Sequence, residues 1–208
     1  MALLIEKQLL FIHINKSCGG VVTHNMHKNG KPKITGYHRT LEDMVLRAKN
    51  ELNISRDKLK MFTLVRNPFD RMVSMFEFYK SSQWAEDFCL NRNELRSDFN
   101  AWIKFIYSES FPKRKTHSAI NVFEHCFCNQ LNWLKDLRGN LASDVEIHRV
   151  EHTDLQGLLE SYGLKNLDVK TRIHPTNHEH YSKYYTQESI RLVAEHYRED
   201  LEYFDYDF

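Results

Sequence analysis

The sequence predicts a three-layer α/β protein with a central, mostly parallel sheet flanked by helices. Three observations carry that expectation. Short apolar runs such as Leu9-Leu10-Phe11-Ile12-His13-Ile14 suit strands buried on both faces. Segments with helical apolar spacing alternate with those runs, the order that parallel sheets require. Two of the runs end in a polar turn that opens directly into a helix start, and in such sheets ligands sit beyond the carboxyl ends of the strands.

Along the chain, residues 9–14 form the first expected strand, residues 15–20 a turn of small and polar residues, and residues 21–28 a helix. Asn29-Gly30-Lys31-Pro32 is a turn. Thr40, with Asp43 three residues on, marks a helix N-terminus, and Leu41, Met44, Val45, Ala48 and Leu52 line its apolar face. Residues 59–65 are the second strand, after which Asn67 caps a helix with Pro68 at its first position. Residues 98–107 make an amphipathic helix burying Phe99, Trp102, Ile103 and Ile106, and residues 113–138 read as mostly helical. Residues 145–150 are the third strand, and residues 153–162 a helix closed by Gly163. The last helix, 187–201, is capped by Thr186 and carries Ile190, Val193, Ala194, Tyr197 and Leu201 on one stripe.

Composition limits what the protein can be. Its 208 residues are 41% hydrophobic and 27% charged, which fits one globular domain, 1–208. A chain of this length buries roughly 70% of its unfolded surface, so disulfide miniproteins, collagens and disordered tails are excluded. Lys and Arg total 29 against 28 Asp and Glu, a net charge of +1. No global basic field exists to attract nucleic acid, so a bound anion must be held by a local arrangement of donors. Cys18, Cys89, Cys126 and Cys128 show no disulfide framework and read as reduced thiols. No stretch approaches the ~20 apolar residues of a membrane span. A soluble, cytoplasmic protein is expected. Cys126-Phe127-Cys128 and the histidines 125, 148, 152, 174, 178 and 180 invite a zinc reading, but their spacing is not that of zinc knuckles, and no metal is expected.

Chemistry concentrates at two strand-to-helix junctions. At the first, Lys16 leaves the strand and Ser17-Cys18-Gly19-Gly20 forms a turn whose N–H groups can cradle an anion at a helix start. The order G-x-x-x-x-G-K-[ST] of nucleoside-triphosphate loops is absent. The plain alternative is a tight turn with an exposed lysine. At the second, Arg66 stands at the strand exit, and Arg71 and Ser74 share one face of the following helix, a set suited to phosphate. Here the alternative pairs Arg71 with Asp70 or Glu77 on a solvated face.

Together these segments resemble the sulfotransferase superfamily, in the branch of the carbohydrate sulfotransferases. His13-Ile14-Asn15-Lys16-Ser17-Cys18-Gly19-Gly20-Val21 is similar to that branch's His-Ile-Pro-Lys-Thr-Gly-Gly-Thr-Ser loop. Val65-Arg66-Asn67-Pro68-Phe69-Asp70-Arg71-Met72-Val73-Ser74 is similar to its Val-Arg-Asn-Pro-Phe/Trp-Asp-Arg-Leu-Val-Ser segment. Gly36-Tyr37-His38-Arg39-Thr40-Leu41 resembles its histidine-containing segment. Gln130 with Trp133, Arg149-Val150-Glu151 and the acidic, Tyr-rich closing helix extend the likeness over nearly the whole chain.

The resemblance implies a P-loop nucleotide-hydrolase-like fold. It also implies metal-free transfer of a sulfuryl group from 3′-phosphoadenosine 5′-phosphosulfate to an acceptor hydroxyl, with a glycan as the expected acceptor. It gives Lys16, Ser17, Cys18, Gly19, Gly20 and Val21 the 5′-phosphosulfate, and Arg66 and Ser74 the 3′-phosphate, with Arg71 in support. Lys16 would stabilise the leaving oxygen, and His38 would be the base, with Glu42 and His13 next in line. Asn15 replaces the family's proline, and Gly20 and Val21 replace its Thr and Ser hydroxyls, for which backbone N–H groups, Ser17 or Thr23 could compensate. Without compensation the alternative is a non-catalytic binder of 3′-phosphoadenosine nucleotides. A kinase is disfavoured by the missing loop order. Lys113, Arg114, Lys115, Arg92 and Arg96 could line an acceptor groove or form a solvated charge run, and Trp84 and Phe111 could stack on a sugar or simply pack.

Overall fold

The computed structural model describes residues 2–32, 39–111, 126–171 and 178–208. The chain divides into two compact units, residues 1–66 with 130–173 and residues 67–129 with 174–208.

The first unit holds the sheet. Among its described residues, β1 (Ala2–Leu4), β2 (Leu9–Ile12), β3 (Lys60–Val65) and β4 (Val145–Arg149) lie side by side in that order. β2, β3 and β4 are parallel, in a register pairing Ile12 with Thr63 and Val65 with Arg149. β1 is antiparallel to β2. The three-layer α/β expectation therefore holds, with one strand that the sequence reading left out. That strand is three residues long, and a single 3-10 turn (Ile5–Lys7) ending at Gln8 with φ 51° folds it back onto β2.

Alternation along the strands explains why both faces of the sheet are covered. Leu4, Leu9, Phe11, Phe62 and Leu64 pack with Val22 and Met26 of α1 (Gly19–Lys28) and Leu159 of α6 (Leu155–Ser161). Leu3, Leu10, Ile12, Met61 and Val65 point the other way and are buried as well. α2 (Leu41–Leu52) buries Leu41, Met44, Val45 and Ala48 as its spacing predicts. Thr40 occupies its N-cap position but makes no side-chain cap bond, and Asp43 is taken by Arg39 at 2.9 Å instead.

The second unit is helical: α3 (Pro68–Tyr79), α4 (Asn93–Ser97), α5 (Phe99–Ile106), α7 (Gln187–His196) and α8 (Arg198–Phe204). Pro68 stands at the first turn of α3 and the Asn67 side chain accepts the Phe69 N–H at 3.0 Å, as the sequence implies. Asp98 caps α5 through the N–H groups of Asn100 and Ala101. Phe69, Phe76, Trp102, Phe127 and Tyr197 anchor one aromatic core.

Two expectations are corrected. The described part of 113–138 is α-helical at Cys126 alone. It contains a 3-10 turn, Gln130–Trp133, and a loop closed by the Lys135–Leu141 bridge, with Gly139 at φ 83°. Residues 112–125 lie outside the described residues. The last helix is two helices that meet at Tyr197. The Asn129 side-chain amide donates to the His196 carbonyl at 3.0 Å and accepts the Asp200 N–H at 3.3 Å. It thereby replaces the i→i−4 bond between those two groups, and a side chain inserted into that ladder breaks a helix.

Candidate active site

β2 and β3 run parallel, and the Thr63 hydroxyl donates to the Ile12 carbonyl at 2.8 Å, tying their ends together. Past β2, Ile14 and Asn15 are buried. Lys16 (φ 62°) and Cys18 (φ 56°) then take left-handed backbone on either side of the fully buried Ser17. Each such non-glycine residue costs roughly 1–2 kcal/mol, so something must hold the loop in place. α1 begins at Gly19, and its first N–H groups face the end of the loop with the positive end of the helix dipole behind them.

Three ties hold it. The Gln130 side chain accepts the Arg66 N–H at 2.9 Å and donates to the Arg66 carbonyl at 2.9 Å. The same Gln130 oxygen accepts the Ser17 hydroxyl at 3.3 Å. The Arg66 guanidinium donates to the Lys16 carbonyl at 3.2 Å. Lys16, Ser17 and Arg66, three of the residues expected to bind the donor, are therefore brought together at the ends of β2 and β3.

The electrostatics of this cluster favour an anion. Burial, and then the positive charge of Arg66, lower the Lys16 pKa from 10.5 to about 8, with the Cys18 thiol acting weakly the other way. Two cations stand close together and partly desolvated, and an anion placed beside them relieves their mutual repulsion.

The loop's hydroxyls face partners within the protein. Ser17 Oγ is engaged by Gln130, and Thr23 Oγ1 donates back to the carbonyls of Gly19 and Gly20 at 2.9 and 3.0 Å. The hydroxyls of Ser17 and Thr23 are thus engaged within the protein, and the Val21 N–H donates to the Cys18 carbonyl at 3.2 Å. Gly19 is sterically required: a Cβ there would run into the imidazole of His13, which lies against it and stacks on Phe11 with centroids 5.6 Å apart. Cys18 is exposed, and its side chain makes no cap bond to α1.

The remaining candidates fall elsewhere. His38 lies outside the described residues. Glu42 is engaged in an ion pair with Arg56, which also grips Asp144 at 2.6 and 2.8 Å, and that pairing holds the Asp144 carboxyl below its ordinary range. Ser74 is buried on α3 in the second unit. Arg71 is fully buried there too, donating to the Cys126 carbonyl at 2.8 Å with its guanidinium 5.9 Å from the Tyr197 ring centre. The solvated-face alternative for Arg71 is thereby overturned. Phe111 is buried in the aromatic core and Arg92 lies over the Phe105 ring at 5.1 Å. Lys113, Arg114 and Lys115 lie outside the described residues. Among the described residues no group of three His, Cys, Asp or Glu is gathered in a way that could hold a metal, and His125 and His174 lie outside them. Burial pushes the Cys126 thiol up to about 12.

Comparison with protein families decides the identity of the fold. The sulfotransferase family matches residues 5–207. The chain belongs to sulfotransferase family 2. Comparison with the curated proteins and with the solved structures finds no match. Membership makes this chain a sulfotransferase in the general sense, a transferase of sulfuryl groups to a hydroxyl-bearing acceptor. Family membership implies 3′-phosphoadenosine 5′-phosphosulfate as the donor. A half-buried lysine beside an arginine near a helix start is an arrangement that favours an anion. Among the described residues of this sulfotransferase no helix is long and apolar enough to cross a membrane. Gln130 is the contributor that residue chemistry alone missed. It is uncharged and lies 64 positions from Arg66, and its only signal was its place in the family resemblance.

Proposed function

We propose that this sulfotransferase moves the sulfuryl group of 3′-phosphoadenosine 5′-phosphosulfate onto an acceptor hydroxyl, with a carbohydrate as the acceptor, acting as one domain in the cytoplasm. The observation that carries this reading is the Lys16–Arg66 pair, two cations packed at the ends of parallel strands and beside the start of α1. Lys16 and the N–H groups of residues 17–21 take the 5′-phosphosulfate, and Arg66 takes the 3′-phosphate.

The transfer is an in-line displacement. The acceptor oxygen attacks sulfur while the bond from sulfur to the bridging oxygen breaks, and the electron pair stays on the 5′-phosphate. The acceptor proton passes to His38. The Lys16 ammonium, still mostly charged near neutral pH, stabilises the negative charge on the departing phosphate oxygen. A second reading, a non-catalytic binder of 3′-phosphoadenosine nucleotides, is favoured by one observation: Ser17 and Thr23 spend their hydroxyls inside the protein.

A panel of hydroxyl acceptors incubated with sulfate-labelled donor, beside calorimetry with 3′-phosphoadenosine 5′-phosphate, separates the two. The catalytic reading expects label on at least one glycan, without added magnesium. It also expects His38→Ala to abolish transfer while nucleotide binding persists. Binding with no transfer to any acceptor selects the second reading, and no binding at all rejects both.

A further inference from the structure

We infer that Gln130 is a positioning residue that makes the two anion-binding arms act as one. The inference rests on the donor-site reading above and goes beyond it, because Gln130 is placed on the protein's own backbone rather than on the ligand.

Its geometry is unusual for a buried amide. Gln130 is fully buried, and its side chain reaches both polar groups of a single residue, the N–H and the carbonyl of Arg66, each at 2.9 Å. Those are the groups that a neighbouring parallel strand would pair with if it ran on past the end of β3. The side chain thus ends the strand at Arg66 while satisfying it, and sets the direction in which the arginine leaves the sheet. The amide oxygen then accepts a second bond, from Ser17 Oγ, between the two left-handed residues of the lysine loop. One side chain therefore holds the backbone of the arginine arm and the middle of the lysine arm. Its own base is fixed, since Leu131, Trp133 and Leu134 bury the 3-10 turn that carries it.

Three demands are met at once: a donor towards the Arg66 carbonyl, an acceptor towards the Arg66 N–H, and spare acceptor capacity for Ser17. Among uncharged side chains of this length only glutamine meets all three. Methionine fills the space but supplies neither strong bond. Glutamate supplies the acceptor but, when ionised, sets an oxygen against the Arg66 carbonyl. When protonated, its O–H restores the missing donor. Burial pushes such a carboxyl up and the nearby Lys16 and Arg66 pull it down.

The test uses the full chain and 3′-phosphoadenosine 5′-phosphate. Lys16→Ala, Arg66→Ala and the double variant are measured by calorimetry in the wild-type and Gln130→Met backgrounds, with thermal melting of each. In the wild type the two single losses are expected to be non-additive. With Gln130→Met, affinity falls about ten- to a hundred-fold and the losses become additive, because each arm then binds on its own. Gln130→Glu supplies the pH readout, binding better relative to the wild type as pH falls, a trend Gln130→Met does not share. Should Gln130→Met fail to fold, Gln130→Leu takes its place in the same cycle, because a carboxylate at 130 also repels the nucleotide directly.

A folded Gln130→Met protein that binds within two-fold of the wild type, or a Gln130→Glu ratio to the wild type that is flat with pH, overturns the inference. If the wild type binds nucleotide and Lys16→Ala weakens it while both Gln130 variants behave as wild type, only the positioning role is lost. If the wild type binds no nucleotide, the donor-site reading falls and takes this inference with it.

Discussion

Arg66 and Arg71 stand five positions apart in one motif, and the structure puts them to opposite uses. Arg66 sits half-buried where β3 ends, its guanidinium on the Lys16 carbonyl, and its positive charge helps lower the lysine pKa. Arg71 is fully buried one turn into α3, on the Cys126 carbonyl and near the Tyr197 ring. A charge at a strand end can turn donors towards solvent or a ligand. A charge inside a core spends them on the protein, where its removal exposes the cost of a buried polar group left behind.

The largest effect expected from this contrast is on stability. Arg71→Ala leaves a large cavity and strips the Cys126 carbonyl of its donor, so a loss of about 3–5 kcal/mol is expected in urea unfolding. Arg66→Ala removes one hydrogen bond to Lys16 and relieves a like-charge contact, so its loss should stay within about 1 kcal/mol. Nucleotide affinity should rank the other way, falling with Arg66→Ala. Equal losses of stability from the two substitutions would dissolve the distinction.

Next in size is a pH effect located at Lys16. Its pKa falls from 10.5 to about 8 in the folded protein, so the charged form is disfavoured by folding. That penalty is complete below pH 8 and fades as pH climbs from 8 towards 10.5, so the ligand-free protein gains stability across that window. Nucleotide binding runs the opposite way, because the anion wants the ammonium. Affinity for 3′-phosphoadenosine 5′-phosphate should be level below pH 8 and fall by up to about ten-fold per pH unit above it. Lys16→Arg, charged throughout, should remove the inflection while Arg66→Lys keeps it. An inflection that survives Lys16→Arg would assign it to another group.

The same contrast explains what could be read from residues alone. The Val65-to-Ser74 segment was legible because its signals are local: an apolar run, an asparagine cap at hydrogen-bond distance from Phe69, and a proline at the first helical turn. The lysine loop was legible from its small residues beside a helix start. Whether an arginine lies in a core or at a strand end is decided by residues far away in the chain, Cys126 and Tyr197 for Arg71 and Gln130 for Arg66. The break at Tyr197 escaped for the same reason. An apolar stripe runs unbroken through it, and the Asn129 amide that opens the helix lies outside any local window. β1 escaped because three residues carry no periodicity.

The smallest effect tests the claim that the loop works through its backbone. Thr23 is the hydroxyl nearest in sequence to where relatives carry theirs, yet it donates to the carbonyls of Gly19 and Gly20 within its own helix. Bonds of this kind add little to a helix, and valine has the same shape. Thr23→Val should therefore shift stability by less than about 1 kcal/mol and leave the nucleotide Kd within about two-fold of the wild type. A ten-fold weakening with an unchanged melting temperature would mean that the hydroxyl turns from its own helix to the phosphate once the donor arrives. The loop would then resemble its hydroxyl-bearing relatives in the bound state. The contrast would then hold for the two arginines, one at a strand end and one inside a core, but fail for the threonine.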